Sequence, residues 1–339
     1  GMAWHGHEMI FGFTVAVIAG FLLTAVRNWT HRPTASGISL LALAALWTMG
    51  RLALLFGGVF PSRLTALVDL AFLPALTLAL AIPLWKSRSW RNLGFVPLLL
   101  ALFAANVTFH VGDAALASRA LQVGIDVIVL IIVLVGGRVI PMFTRNALAG
   151  VKLRNNPVID WLAFGSTALV LVSDLAPWPW HLGAWAAFGA AALNGLRMSG
   201  WASLHTLRKP ILWVLHLGYL WLLVGLFMKG LGAFVPSIPL TAPLHALTVG
   251  SIGVLTLGMM SRVSLGHTGR PLEPRASVVA AFGLLGMAAI ARAILPIFAP
   301  GWYLQILVVA GLCWAVGFLV FTTVYWPILT QPRVDGRPG

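Results

Sequence analysis

A single cysteine, Cys313, in a chain of 339 residues excludes a disulfide framework, a CxxCH covalent haem attachment and a thiolate-rich metal site. It lies inside an apolar run and reads as a small hydrophobe. Acidic residues are almost as scarce. Asp and Glu together number 8, too few for the oxygen cages that Ca²⁺ and Mg²⁺ require. Long polar connections are lacking too, so no soluble domain is available to dock a partner. No basic segment precedes the first apolar run, which therefore does not read as a cleavable leader. Gly1-Met2 leads almost directly into a span, and one further N-terminal helix is expected ahead of it.

What is present is apolar. Hydrophobic residues make up 60% of the chain and charged residues 9%, with a mean hydropathy of +0.94, a composition far from that of soluble domains. About eleven runs are long enough to cross a hydrocarbon core as helices. They lie near 7–26, 37–56, 64–85, 93–111, 117–137, 157–175, 181–199, 210–229, 241–260, 276–297 and 302–325. Barrel strands would be shorter and would alternate. The expected fold is all-α: a polytopic transmembrane helical bundle forming a single membrane domain over residues 1–339.

The net charge of +14 follows membrane orientation rather than a nucleic-acid partner. Of the 22 Lys and Arg residues, all but Arg51, Arg63, Arg119, Lys229 and Arg292 fall in alternate loops or in the tail that ends with Arg333 and Arg337. The positive-inside rule then places the C-terminus in the cytoplasm and the start of the first span outside. Trp29, Trp85, Trp90, Trp178, Trp180 and Trp302 near span ends form an aromatic belt against lipid.

Orientation gives each polar residue a depth. His5, His7 and Glu8 open the first span from outside, Asn106 and His110 end the fourth there, Asp126 lies in the outer part of the fifth, and His245 begins the ninth. Arg51 and Asp69 lie at similar depth on the second and third spans and are expected to pair, because neither charge is stable alone there. His216 and His267 lie toward the cytoplasm, with His31 and His205 in loops on that side. Imidazole suits iron, copper and zinc, so a haem or copper site matches the ligand inventory. His7, His245, His5 and His110 are the candidate cofactor ligands, with His216 and His267 as further metal candidates. Glu8 and Asp126 are candidates to relay protons or orient ligands. In a helix His5 and His7 point to different faces and do not clasp one ion.

Plainer readings cover the rest. His31, His181 and His205 read as hydrogen-bonded interfacial side chains, and Met9, Met142, Met259 and Met260 as packing. Gly12, Gly20, Gly250, Gly253 and Gly258 let helices approach closely. Gly136 to Arg145 reads as a turn that closes the fifth span at the inner face. A multi-span secondary carrier without haem is the second functional reading; no convincing internal repeat supports it, and carriers do not need so many histidines at helix entrances.

Four stretches carry a family resemblance. They are the opening Trp4-His5-Gly6-His7-Glu8-Met9-Ile10-Phe11-Gly12-Phe13, the phrase from Gly20 to Thr30, the turn Gly137-Arg138-Val139-Ile140-Pro141 and the stretch from Leu244 to Pro271. Together they resemble the NnrS family over essentially the whole chain. The resemblance implies a haem- and copper-containing bacterial inner-membrane protein linked to nitric oxide metabolism and resistance to nitrosative stress. It implies a b-type haem between helices on an imidazole, with copper as a second metal, nitric oxide as small-molecule ligand, and a haem-dependent NO-handling oxidoreductase as the corresponding activity. His5, His7, His245 and His267 fall in the matching motifs. Family members usually have one N-terminal span more than this chain.

Overall fold

The computed structural model describes residues 1–175 and 179–336. Trp178 and Arg337 lie outside them, as does the side chain of Trp180. Among the described residues every regular element is helical. The long helices are α1 (Met2–Thr30), α2 (Ile38–Leu55), α3 (Ser62–Lys86), α4 (Trp90–Val111), α5 (Ala114–Ala147), α6 (Pro157–Leu175), α7 (Trp180–Ser199), α8 (Pro210–Gly232), α9 (Thr241–His267), α10 (Ala276–Phe298) and α11 (Pro300–Leu329). All but α7 make up the 10 that are long and apolar enough to cross a membrane; His181, Asn194 and Arg197 interrupt the apolar sequence of α7. The protein is a multi-pass membrane helical bundle.

The fifth helix corrects one sequence expectation. Instead of closing near residue 137, α5 runs to Ala147 with Gly136, Gly137 and Pro141 inside it. The bare backbone at Gly137 leaves room for the guanidinium of Arg197, which lies directly against it. The glycine serves close approach rather than chain reversal.

Residues 1–131 and 132–339 form two compact units, the division falling within α5. In the first unit α3 packs against α1, α2 and α4. Leu76, Leu80 and Leu84 recur at helical spacing on α3, and Phe95, Leu99 and Leu102 do so on α4, all fully buried. Ile38, Leu41, Leu52 and Leu55 of α2 remain exposed, as lipid-facing residues should. In the second unit α6 packs on α7, α7 on α8, α8 on α9, and α10 on α11. Its core contains Trp201, Tyr219, Phe282 and Tyr325. Leu304, Val308, Leu312 and Leu319 of α11 face outward. Pro210 at the first position of α8 fits a site whose N–H needs no helical partner.

Two of the long helices contain π-helical segments, Glu8–Thr14 in α1 and Ala246–Gly253 in α9. Such wide turns are uncommon and concentrate at functional sites.

Candidate metal centre

The π segment of α1 begins immediately after His7, which is 1% exposed although it lies one turn and a half from the chain start. Its Nδ1 faces Glu8 Oε1 at 3.2 Å, and its Nε2 faces Asn106 Oδ1 at 2.9 Å and Asp69 Oδ2 at 3.2 Å. The rings of Phe11 and Phe109 pack beside it at 5.1 and 4.6 Å between centroids. Every hydrogen-bonding group that faces the ring is an acceptor. The position is arranged to take a cation at the imidazole, whether a proton or a metal ion.

Asp69 on α3 organises the centre. Its Oδ1 accepts from Arg51 Nη2, and its Oδ2 accepts from Asn106 Nδ2 at 2.8 Å and faces His110 Nε2 at 2.9 Å. The backbone of α3 reaches this position because α2 presents Gly50 there: a Cβ on Gly50 would sit 3.2 Å from Asp69 Cα. Arg51 Nη1 also donates to Glu8 Oε1 at 2.9 Å. The Arg51–Asp69 pair expected from the sequence is thus formed, and Glu8 extends it into a triad. With both imidazoles neutral, one guanidinium faces two carboxylates and the group carries one excess negative charge. An unbalanced buried charge is costly, more so at membrane depth, so an added cation stabilises this arrangement.

The spacing suits an ion. One nitrogen each from His7 and His110 and one oxygen of Asp69 lie within 4.8 Å of one another. Metal–ligand bonds of about 2.1 Å place neighbouring donor atoms about 3.0–3.4 Å apart, and the His7–Asp69 and His110–Asp69 separations of 3.2 and 2.9 Å fall near that range. Two imidazoles and a carboxylate form a donor set of the kind that holds iron or other borderline transition metals. A macrocycle does not fit over these imidazoles, because the Asp69 carboxylate and Asn106 stand directly in front of their Nε2 atoms.

Of the residues singled out from the sequence, the first unit brings together His7, Glu8 and His110. His5 is exposed on another face of the same helix. Asp126 is buried on α5 and accepts a hydrogen bond from Gln122 Nε2 at 3.3 Å. In the second unit His216 is buried with Nδ1 at 2.9 Å from Ser203 Oγ and Nε2 at 3.0 Å from Thr144 Oγ1. Hydroxyls at both nitrogens make it a satisfied core histidine. His267 is exposed at the end of α9, where its backbone oxygen accepts from Arg333 Nη1 at 2.9 Å. His245 is half-buried on α9 with Nδ1 at 2.6 Å from Thr241 O.

Sequence reasoning missed that Asp69 faces both imidazoles and that Asn106 bridges His7 and Asp69. It placed Asp69 only as the partner of Arg51, although the shared depth of Asp69, Asn106 and His110 on adjacent spans was the available signal.

The second unit holds a different polar network. Arg197 donates from Nε to Asp160 Oδ1 at 2.6 Å and from Nη1 to Val133 O at 2.7 Å. Tyr219 OH donates to Asn194 Oδ1 at 2.5 Å, and Lys229 pairs with Asp174. These contacts satisfy buried polar atoms within a membrane core and need no ligand.

Residues 1–333 match a family model described as NnrS protein. No curated protein matches the chain.

Proposed function

The chain belongs to the NnrS family, and from that premise we propose that it is a membrane metalloprotein whose His7–Asp69–His110 centre holds a transition-metal ion and binds nitric oxide. One observation carries the reading: two imidazoles and a carboxylate gather at a common point in a group with one excess negative charge. Copper or non-haem iron fits this donor set. Nitric oxide is small, neutral and lipid-soluble, so it reaches such a site from the bilayer without a polar channel.

The surrounding residues have defined work. Arg51 anchors Asp69 from its far oxygen, leaving Oδ2 toward the imidazoles. Asn106 holds His7 and Asp69 in register. Such supporting contacts orient ligands and tune the metal. Glu8, the most exposed carboxylate of the group, handles a proton at His7 Nδ1, and Asp126 is a second proton-handling candidate. The family resemblance also implies haem, which we assign to an imidazole other than His7 or His110. The Lys and Arg distribution supports a bacterial inner-membrane location with the C-terminus in the cytoplasm.

The test is metal analysis of the purified full chain, combined with nitric oxide titration followed by optical and paramagnetic resonance spectra. The expected result is bound copper or iron whose spectrum changes on nitric oxide addition, with the metal lost in His110→Ala. Protein devoid of metal after expression with iron and copper supplied, or a His110→Ala variant with unchanged metal and response, overturns the proposal.

A further inference from the structure

The charges of the first unit are sorted along its helices. Its acidic residues are Glu8 near the start of α1, Asp69 in the first half of α3, Asp113 just after α4 and Asp126 in α5. The opposite ends of α1, α3 and α4 carry Arg27, Arg32, Lys86, Arg88 and Arg91, all exposed, and segments 27–37 and 86–92 contain no carboxylate. Lys86 lies about 25 Å along the α3 axis from Asp69, too far for that carboxylate to balance these cations. The basic end is one assembled surface. Arg32 Nη2 donates to Lys86 O at 3.2 Å, and Trp29 of α1 stacks on Phe95 of α4 at 5.6 Å between centroids.

Arginine also stands there in a backbone position that favours glycine. Arg88 N donates to Trp85 O and Ser89 N to Leu84 O, both at 3.0 Å, the paired bonds of a helix stop whose left-handed residue is usually glycine. In α3 that residue is Arg88, with φ of 54°. A side chain in this conformation is disfavoured relative to glycine, and such strain concentrates where the side chain has a function. Arg91 lies in the first turn of α4, where a cation opposes the helix dipole and an anion is favoured.

Beside these cations α3 and α4 part. A groove of about 630 Å³ runs between Ala81 and Ile82 on one side and Leu93, Val96 and Pro97 on the other. Trp85 and Trp90 stand at its mouth with Lys86, edge to face at 5.5 Å between ring centroids, as indoles do at the level of lipid headgroups. Ile82, Trp85 and Trp90 are 45%, 63% and 59% exposed, so the groove is open to the bilayer. Gly94 leaves part of the space: a Cβ there would meet nothing closer than Arg91 O at 4.0 Å. We propose that this groove binds one anionic phospholipid, an acyl chain lying along the apolar floor and Arg32, Lys86, Arg88 and Arg91 holding the phosphate. Guanidinium groups match phosphate geometry, and basic pockets between spans on the cytoplasmic side take such headgroups. The site stands apart from the metal centre and does not depend on it.

The experiment is native mass spectrometry of the delipidated full chain, titrated with an equimolar mixture of dioleoyl phosphatidylglycerol and dioleoyl phosphatidylcholine. One phosphatidylglycerol is expected to be retained in preference to phosphatidylcholine. At about fivefold per cation, the triple variant Arg32→Gln/Arg88→Gln/Arg91→Gln is expected to bind it about a hundredfold more weakly. Gly94→Leu keeps every cation and fills the groove, and it is expected to weaken retention as well. Arg88→Gly relieves the backbone while removing a phosphate donor. Lower lipid retention together with an unfolding temperature no lower than that of the wild type in lipid-free detergent is therefore expected of it, a combination that general damage does not produce. Equal retention of the two lipids overturns the inference, as does wild-type retention in the triple variant or in Gly94→Leu. A dimer of the chain that forms without lipid and is lost in Gly94→Leu overturns it too, and assigns the groove to a second copy.

Discussion

Replacing Asp69 by Asn and Arg51 by Gln separates electrostatic design from general damage, because the two changes move metal affinity in opposite directions. Asp69→Asn raises the charge of the centre by one and removes a ligand oxygen, leaving Arg51 balanced by Glu8 at 2.9 Å. A unit charge about 4 Å from an ion at an effective dielectric constant of about 20 is worth about 4 kcal/mol, or about a thousandfold in affinity. Arg51→Gln lowers the charge by one and releases Asp69 Oδ1, so the remaining carboxylates attract a cation more strongly. Affinity is measured by competition with a chelator on detergent-purified protein. The expected result is weaker binding by about three decades in Asp69→Asn and tighter binding in Arg51→Gln. Loss of affinity in both variants shows that the pair holds the fold and not the ion, and equal affinity in all three proteins refutes the centre itself.

Other outcomes follow from the same contacts. Exchanging Arg51 and Asp69 should preserve more folding stability than either Ala substitution, since each single loss leaves a buried charge unpaired at about 3–5 kcal/mol, and should at the same time remove the carboxylate from the donor set; thermal unfolding and metal content check both parts. Gly50→Ala puts a methyl 3.2 Å from Asp69 Cα and should destabilise the first unit by about 1–3 kcal/mol, read as a lower unfolding temperature together with reduced metal retention. Tyr219→Phe leaves Asn194 Oδ1 without its buried donor and should cost about 1–3 kcal/mol with no change in the metal of the His7 centre, measured by thermal unfolding and metal analysis. A fluorescent protein fused after residue 339 should mature, and alkaline phosphatase at the same place should stay inactive; the reverse pattern contradicts the proposed orientation.

The helical spans were legible because hydropathy alone sets them, and the starts and ends of α2, α4 and α6 fall within a few residues of the apolar runs. α5 was misjudged because Gly136, Gly137 and Pro141 punctuate most chains, while here Gly136 sits against Tyr219 and Gly137 against Arg197. His7, Glu8 and His110 could be nominated from depth. Depth also placed Asp69 beside Arg51, but not that its second oxygen faces the imidazoles, because depth does not say which face of a helix a residue occupies. The π segments were invisible to a reading based on 3.6 residues per turn.

The widened turn after His7 also sets how the centre can be lost. A π segment holds surplus chain relative to an α-helix, and each residue removed from a helix rotates everything before it by about 100° about the axis. Deleting one residue within Glu8–Thr14 would therefore swing the imidazole out of its socket while His7, Asp69 and His110 all stayed in the sequence. The grouping of His7 with Asp69 and His110 is written into backbone phase as well as into residue identity, and a one-codon deletion is enough to erase it.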